Sequence, residues 1–195
     1  VTIETERLLL CLLNARQLHL WFSDLPALER EWDCHYDGEP VEGVFREIVQ
    51  QQWKITSRDP RNALFHSFWI LLRKADRTVV GTIDFKAPPN ARGEIEIGYG
   101  LGGAYERRGY MTEAVNALCN WALQREDVES ILAETEQQNR PSQRVLQRCQ
   151  FILEHEGPTL WWRRKNNRVR RLSGKGFGRA IFRGIIHQLL RRCFF

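Results

Sequence analysis

The segment Tyr105-Glu106-Arg107-Arg108-Gly109-Tyr110-Met111-Thr112 sets two arginines and a glycine directly ahead of an amphipathic stretch with a helical period. A helix N-terminus leaves four backbone N–H groups without helical partners and carries the positive end of the helix dipole, so such a turn can hold an anion. Gly109 permits close approach to the backbone, and Arg107 and Arg108 add positive charge; the arrangement suits a pyrophosphate. The plainer reading of the same residues is a helix start with solvated arginines. Just upstream, Glu94 to Tyr99 alternates so that Glu94, Glu96 and Gly98 share one strand face while Ile95, Ile97 and Tyr99 share the other. His19, His35, His66, His155 and His187 have no metal-ligand spacing with one another or with cysteine, so no metal is expected. Five cysteines, odd in number and never in a CxxC pair, argue against a disulfide framework and a zinc site and point to a reducing cytoplasm.

The elements that must position these groups read as mixed α and β throughout. Leu8–Leu12 is a short apolar run consistent with a buried strand, after which Asn14 can cap a helix. Val41, Val44, Phe45, Ile48 and Val49 trace one helical face, in a helix that ends before Asp59-Pro60. The stretches 65–72 and 78–85, separated by Lys74-Ala75-Asp76-Arg77, read as a hairpin. A strand from Glu94 to about Tyr99, the glycine turn, a helix over 108–124 and a strand over 128–135 form a strand–turn–helix–strand unit. A helix over 141–148 and strands near 151–154 and 160–163 complete the pattern.

At 195 residues with 43% apolar residues, seven Trp and ten Phe, the chain is sized for one domain with a substantial core. No run approaches the 18 apolar residues of a membrane span, and no signal-peptide pattern opens the sequence. The net charge of +5 conceals two regions. Residues 163–195 hold eleven Lys or Arg and no acid, leaving 18 basic against 24 acidic residues in the rest, a balance of −6.

Four blocks in order resemble landmarks of the GNAT acetyltransferases, closest to the ribosomal-protein N-terminal acetyltransferase branch. They are Ile3-Glu4-Thr5-Glu6-Arg7-Leu8-Leu9-Leu10, Ile97-Gly98-Tyr99-Gly100-Leu101, Arg108-Gly109-Tyr110-Met111-Thr112-Glu113-Ala114 and Asn139-Arg140-Pro141-Ser142-Gln143-Arg144-Val145-Leu146. The resemblance spans residues 2–165 and implies an α/β fold: a mostly antiparallel sheet with a splayed parallel strand pair, flanked by helices, with acetyl-CoA between the splayed strands. On it, the pyrophosphate motif maps onto Glu106 to Met111, with donors from Arg107, Arg108, Gly109, Tyr110, Met111 and Thr112. Tyr99 and Leu101 lie on the strand that serves the pantetheine arm, and Asn139 matches a position that hydrogen-bonds it. Ser142 matches a position near the thioester sulfur, where its hydroxyl could assist the departing thiolate; the alternative is a first-turn residue bonding the backbone near Asn139. Glu96 resembles the glutamate of a Glu-x-Gly-Tyr stretch and could take the amine's proton through water, with Glu94 competing and a surface ladder as the plainer alternative. Glu106, Met111 and Gln150 depart from the family pattern, Gln150 standing where glycine is usual.

The implied activity is acetyl transfer from acetyl-CoA to a primary amine, a protein or peptide N-terminus before small amines such as polyamines or aminoglycosides, by direct attack in a ternary complex. A non-catalytic acyl-CoA-binding protein is the alternative. Direct attack needs no acyl-enzyme, so Cys149 reads as a buried thiol, and Trp21, Trp32 and Trp53 as packing residues. Residues 166–195 form a basic extension. In it Arg171, Gly174 and Gly176 repeat the phosphate spacing, and Phe177, Ile181, Ile185 and Leu189 make an apolar stripe beside Arg179, Arg183 and His187. Such a helix could dock on this domain or a twin in a homodimer, or meet RNA or an anionic membrane surface.

Overall fold

The structure, a computed structural model, describes residues 1–166; the basic extension and its second glycine motif lie outside them. Strands β1 (Thr2–Glu4) and β2 (Leu8–Leu12) lead into helices α1 (Ala15–Ser23) and α2 (Leu25–Trp32), the short strand β3 (His35–Tyr36) and helix α3 (Gly43–Arg58). A single-turn helix α4 (Ala63–His66) precedes strands β4 (Phe68–Arg73), β5 (Thr78–Phe85) and β6 (Glu94–Leu101). Helix α5 (Tyr110–Ala122), strand β7 (Ser130–Glu136), helix α6 (Arg140–Arg148) and strands β8 (Ile152–Glu156) and β9 (Thr159–Lys165) follow.

The sheet runs β1-β2-β4-β5-β6-β7-β9-β8, with β3 parallel to the start of β5. Along that order every neighbouring pair is antiparallel except β6 and β7. Helices cover both faces of β5, so it is buried at all eight positions, the polar Thr78, Thr82 and Asp84 included. On one face α5 buries Ala114, Val115, Leu118 and Cys119 against Leu8, Leu10, Trp69, Leu71, Ile83, Phe85, Ile95 and Ile97. On the other, α1 and α3 bring Leu18, Trp21, Phe45 and Val49 onto Cys11, Phe68, Ile70, Leu72 and Val79. Trp21 is 1% exposed and meets Phe45 and Phe68 edge to face, in keeping with a packing residue.

Local chemistry explains most boundaries. The Asn14 side chain accepts from the Gln17 N–H while the Gln17 side chain accepts from the Asn14 N–H, a reciprocal cap that starts α1. Arg77 turns the β4–β5 hairpin with a left-handed φ of 56°. Where the sequence pattern starts a strand at Phe65, the chain first makes α4, after the break at Asp59-Pro60, and Thr56 caps its end by donating to the His66 carbonyl at 3.1 Å. Elements β1, α2 and β3 carry too few residues, or too broken an apolar period, to register in the sequence pattern.

Candidate active site

Strands β6 and β7 pair through three residues, Glu94, Ile95 and Glu96 against Ser130, Ile131 and Leu132. Both strands then continue, β6 held on its other edge by β5 as far as Leu101 and β7 by β9 as far as Glu136. The facing edges, 97–101 and 133–136, line a cavity of about 940 Å³. Backbone donors and acceptors along these edges lack strand partners across the gap, a condition that invites a ligand rich in amide groups.

The α5 turn closes one end of this cavity. Arg107 and Gly109 are both left-handed, at φ 61° and 82°, on either side of Arg108. The first helical bond of α5 runs from the Glu113 N–H to the Gly109 carbonyl, and no side chain caps the helix, which leaves the first-turn N–H groups for an anion. Glu106, Arg107, Gly109, Met111 and Thr112 line the cavity. The Arg108 carbonyl is turned outward, accepting from Arg7 Nη1 at 3.0 Å, and the Tyr110 ring lies 4.5 Å beneath the Arg7 guanidinium.

The α6 end supplies a second set of polar groups. The Asn139 Oδ1 accepts from the Ser142 N–H at 3.0 Å and caps α6, so its amide NH2 remains for a ligand. Ser142 Oγ lies 2.6 Å from the Tyr99 hydroxyl, a bond that ties α6 to β6. Burial pushes the Tyr99 phenol well above its ordinary value, so it stays protonated and keeps a hydrogen to donate. Tyr99, Leu101, Asn139 and Ser142 all line the cavity. Gln150, at φ 65°, takes the left-handed position that ends α6, which explains the glycine usual there.

Across β6, on the α1 and α3 side, carboxyl groups crowd against two glycines. A Cβ at Gly98 would come within 2.9 Å of Asp84 Oδ1, and one at Gly100 would overlap Glu39 Oε2. Burial pushes Asp84 up to about 7, with Lys86 opposing and Glu96 reinforcing the shift. Burial alone raises Glu39, which lies in the loop between β3 and α3 and lines the cavity. Glu96 is ion-paired with Lys86, and it is Lys86 that lines the cavity. Glu94 is 9% exposed and holds Asn90, Arg92 and Arg163; burial opposes ionisation, but these partners keep its carboxyl below the ordinary range.

The cavity therefore gathers Tyr99, Leu101, Arg107, Gly109, Met111, Thr112, Asn139 and Ser142, while Glu96, Arg108 and Tyr110 stand outside its lining. Sequence pattern does not reveal Glu39, a loop residue brought to β6 by the β3–β5 pairing, or Asp84, hidden in an apolar strand. Cys149 is buried and donates to the Thr112 carbonyl at 3.3 Å; burial pushes its thiol up to about 11. No helix among the described residues is long and apolar enough to cross a membrane, and none of their His, Cys, Asp and Glu side chains cluster as a metal site.

A family model for the acetyltransferase (GNAT) domain matches residues 7–152. A curated relative, the uncharacterized N-acetyltransferase YjdG of Bacillus subtilis (strain 168), is 33% identical over 155 residues, which cover 74% of this chain and 92% of the relative. Among solved structures, a ribosomal-protein-S5-alanine acetyltransferase from Vibrio fischeri aligns with a TM-score of 0.65 at 18% identity, over 86% of this chain and 98% of that one. RimL, a ribosomal L7/L12 alpha-N-protein acetyltransferase in complex with coenzyme A, aligns with a TM-score of 0.62 at 17% identity, over 85% and 98%. At these identities the two structures speak to the fold.

Proposed function

Because the chain belongs to the GNAT acetyltransferase family, we propose that it transfers an acetyl group from acetyl-CoA to a primary amine, by direct attack within a ternary complex. The observation that carries this reading is the cavity where β6 and β7 part, bounded at one end by the uncapped α5 turn and at the other by Asn139 and Ser142. Acetyl-CoA would supply the acetyl group as a thioester. The α5 N–H groups and Arg107 suit its pyrophosphate and offset the charge of Glu106, which lines the same cavity; the open β6 edge and the Asn139 amide suit the pantetheine arm.

Each remaining group has a task set by its surroundings. Tyr99 and Ser142 share a hydroxyl–hydroxyl bond that either can donate; with Tyr99, kept protonated by burial, as the donor, the serine hydrogen is left for the departing sulfur. Glu39 faces the cavity as a carboxylate raised by burial, hence a better base than a surface glutamate. Glu96, the acceptor that sequence suggests, is ion-paired with Lys86, and Lys86 stands between it and the cavity. We assign the proton to Glu39 first, with Glu96 and Lys86 setting the charge of the acceptor face.

An N-terminal α-amine, with a pKa of about 8, is roughly a tenth unprotonated at neutral pH, whereas a lysine amine near 10.4 is far below one per cent. A single weak base suffices more readily for the former, and the names of the structural neighbours run the same way. The test is calorimetric titration with acetyl-CoA, followed by thiol release with three acceptors: peptides with a free N-terminus, N-terminally blocked peptides containing lysine, and polyamines. Saturable binding and faster release with free N-termini are expected. Lack of binding at millimolar acetyl-CoA would sink the donor assignment, and faster release with blocked lysine peptides or polyamines the acceptor.

A further inference from the structure

The first sequence landmark, Thr5-Glu6-Arg7, lies far along the chain from the cavity and takes no part in the chemistry above, yet it is fastened to the α5 turn by a dense set of bonds. The Thr5 hydroxyl donates to Glu113 Oε1 at 2.6 Å, the Arg7 backbone N–H donates to the same oxygen at 2.8 Å, and Arg7 Nε donates to Glu113 Oε2 at 2.7 Å. Arg7 Nη1 donates to the Arg108 carbonyl at 3.0 Å, and the guanidinium stacks over Tyr110 at 4.5 Å. A Cβ at Gly109 would lie 3.4 Å from Arg7 Nη2, so the guanidinium also walls the outer side of the glycine.

Two physical consequences follow. A trans peptide directs its carbonyl and its N–H to opposite sides, so holding the Arg108 carbonyl outward on Arg7 fixes the Gly109 N–H on the opposite side. Glu113, in the first turn of α5, would set a negative charge beside a bound phosphate. Arg7 neutralises it within the same contact, and although burial opposes ionisation, Thr5 and Arg7 hold the Glu113 carboxyl below the ordinary range.

We infer that Arg7, with Thr5, is a positioning residue for the phosphates of the acyl donor: it orients the Arg107–Gly109 turn and cancels the Glu113 charge without touching the ligand. The inference rests on the acetyl-CoA reading above. It separates from a plain structural role because acetyl-pantetheine carries the same thioester with no phosphate.

The experiment measures acetyl-CoA binding by calorimetry, and turnover with acetyl-CoA and with acetyl-pantetheine, for the full chain and for Arg7→Ala, Arg7→Lys and Arg7→Ala/Glu113→Gln. Arg7→Ala should bind acetyl-CoA about tenfold more weakly, with kcat nearly unchanged, and the double variant should regain part of the loss by removing the exposed charge. Turnover of acetyl-pantetheine should match the unaltered chain. Arg7→Lys keeps the charge but not the bond to the Arg108 carbonyl, and should fall between; it also carries the test if Arg7→Ala fails to fold. Unchanged acetyl-CoA affinity in Arg7→Ala or Arg7→Lys, or equal loss with both donors, would overturn the inference. If the unaltered chain itself bound no acetyl-CoA, the functional reading would fall first and this inference with it.

Discussion

Three carboxyl groups within one small region illustrate how little residue type says about chemistry. Glu94 is saturated with cationic and amide partners, Glu96 is matched by a single lysine, and Glu39 faces the cavity with burial as the cause of its shift. Glu39→Gln should therefore lower kcat/KM by about a hundredfold at pH 6.5 and by less than tenfold at pH 9, because the acceptor amine deprotonates itself as pH rises. Glu96→Gln should lose less at both values; the reverse order would return the proton to Glu96. Asp84 offers a stability test. Its carboxyl, pushed up to about 7, binds a proton in the folded chain that the unfolded chain has released, so its ionisation weakens the fold as pH climbs from about 4 to 7. Asp84→Asn should raise the thermal midpoint by roughly 5 °C at pH 8 and hardly at all at pH 4.5, in paired melting curves.

Elements were legible where a clean apolar period met a strong boundary. The β5 limits, Thr78–Phe85, follow from a run closed by a hairpin on one side and Pro88-Pro89 on the other, and α1 follows from the Asn14 cap. Strand β6 runs two residues beyond the end read at Tyr99, because Gly100 begins a glycine-rich stretch that reads as a turn, whereas the alternation continues to Leu101 and both residues pair with Thr82 and Gly81. The lining of the cavity from α5 and α6 was legible as motif; Glu39 and the Arg7–Glu113 clasp were not, because both depend on contacts between segments far apart in the chain. At the α5 turn the glycine has a conformational reason. Gly109→Ala forces a left-handed alanine and should cost about 1–2 kcal/mol in urea unfolding, with weaker acetyl-CoA binding, while Gly109→Asn should cost less.

On the scale of the molecule, helices cover both faces of the central strands, and the described fold ends with Asn166 fastened down. Its N–H donates to the Glu129 carbonyl at 3.0 Å and its side-chain amide to the Leu123 carbonyl at 2.8 Å. A chain truncated after Asn166 should accordingly fold and keep its acetyl-CoA affinity. Loss of binding in calorimetry would move the phosphate site to the second glycine motif of the extension.

The three-residue contact between β6 and β7 also has a kinetic meaning. Strands β1 to β6 form one ladder and β7 to β9 another, and between them the sheet is stitched along a very short length. Regions that share few hydrogen bonds open on their own, and a ligand that bridges them holds them closed. In deuterium exchange the amides of β7 should label well before those of β5 in the free protein, and should slow markedly once acetyl-CoA is added, while β5 barely changes. The donor would then act as the mortar of its own binding cleft, and equal labelling of β5 and β7 would show the sheet breathing as one body.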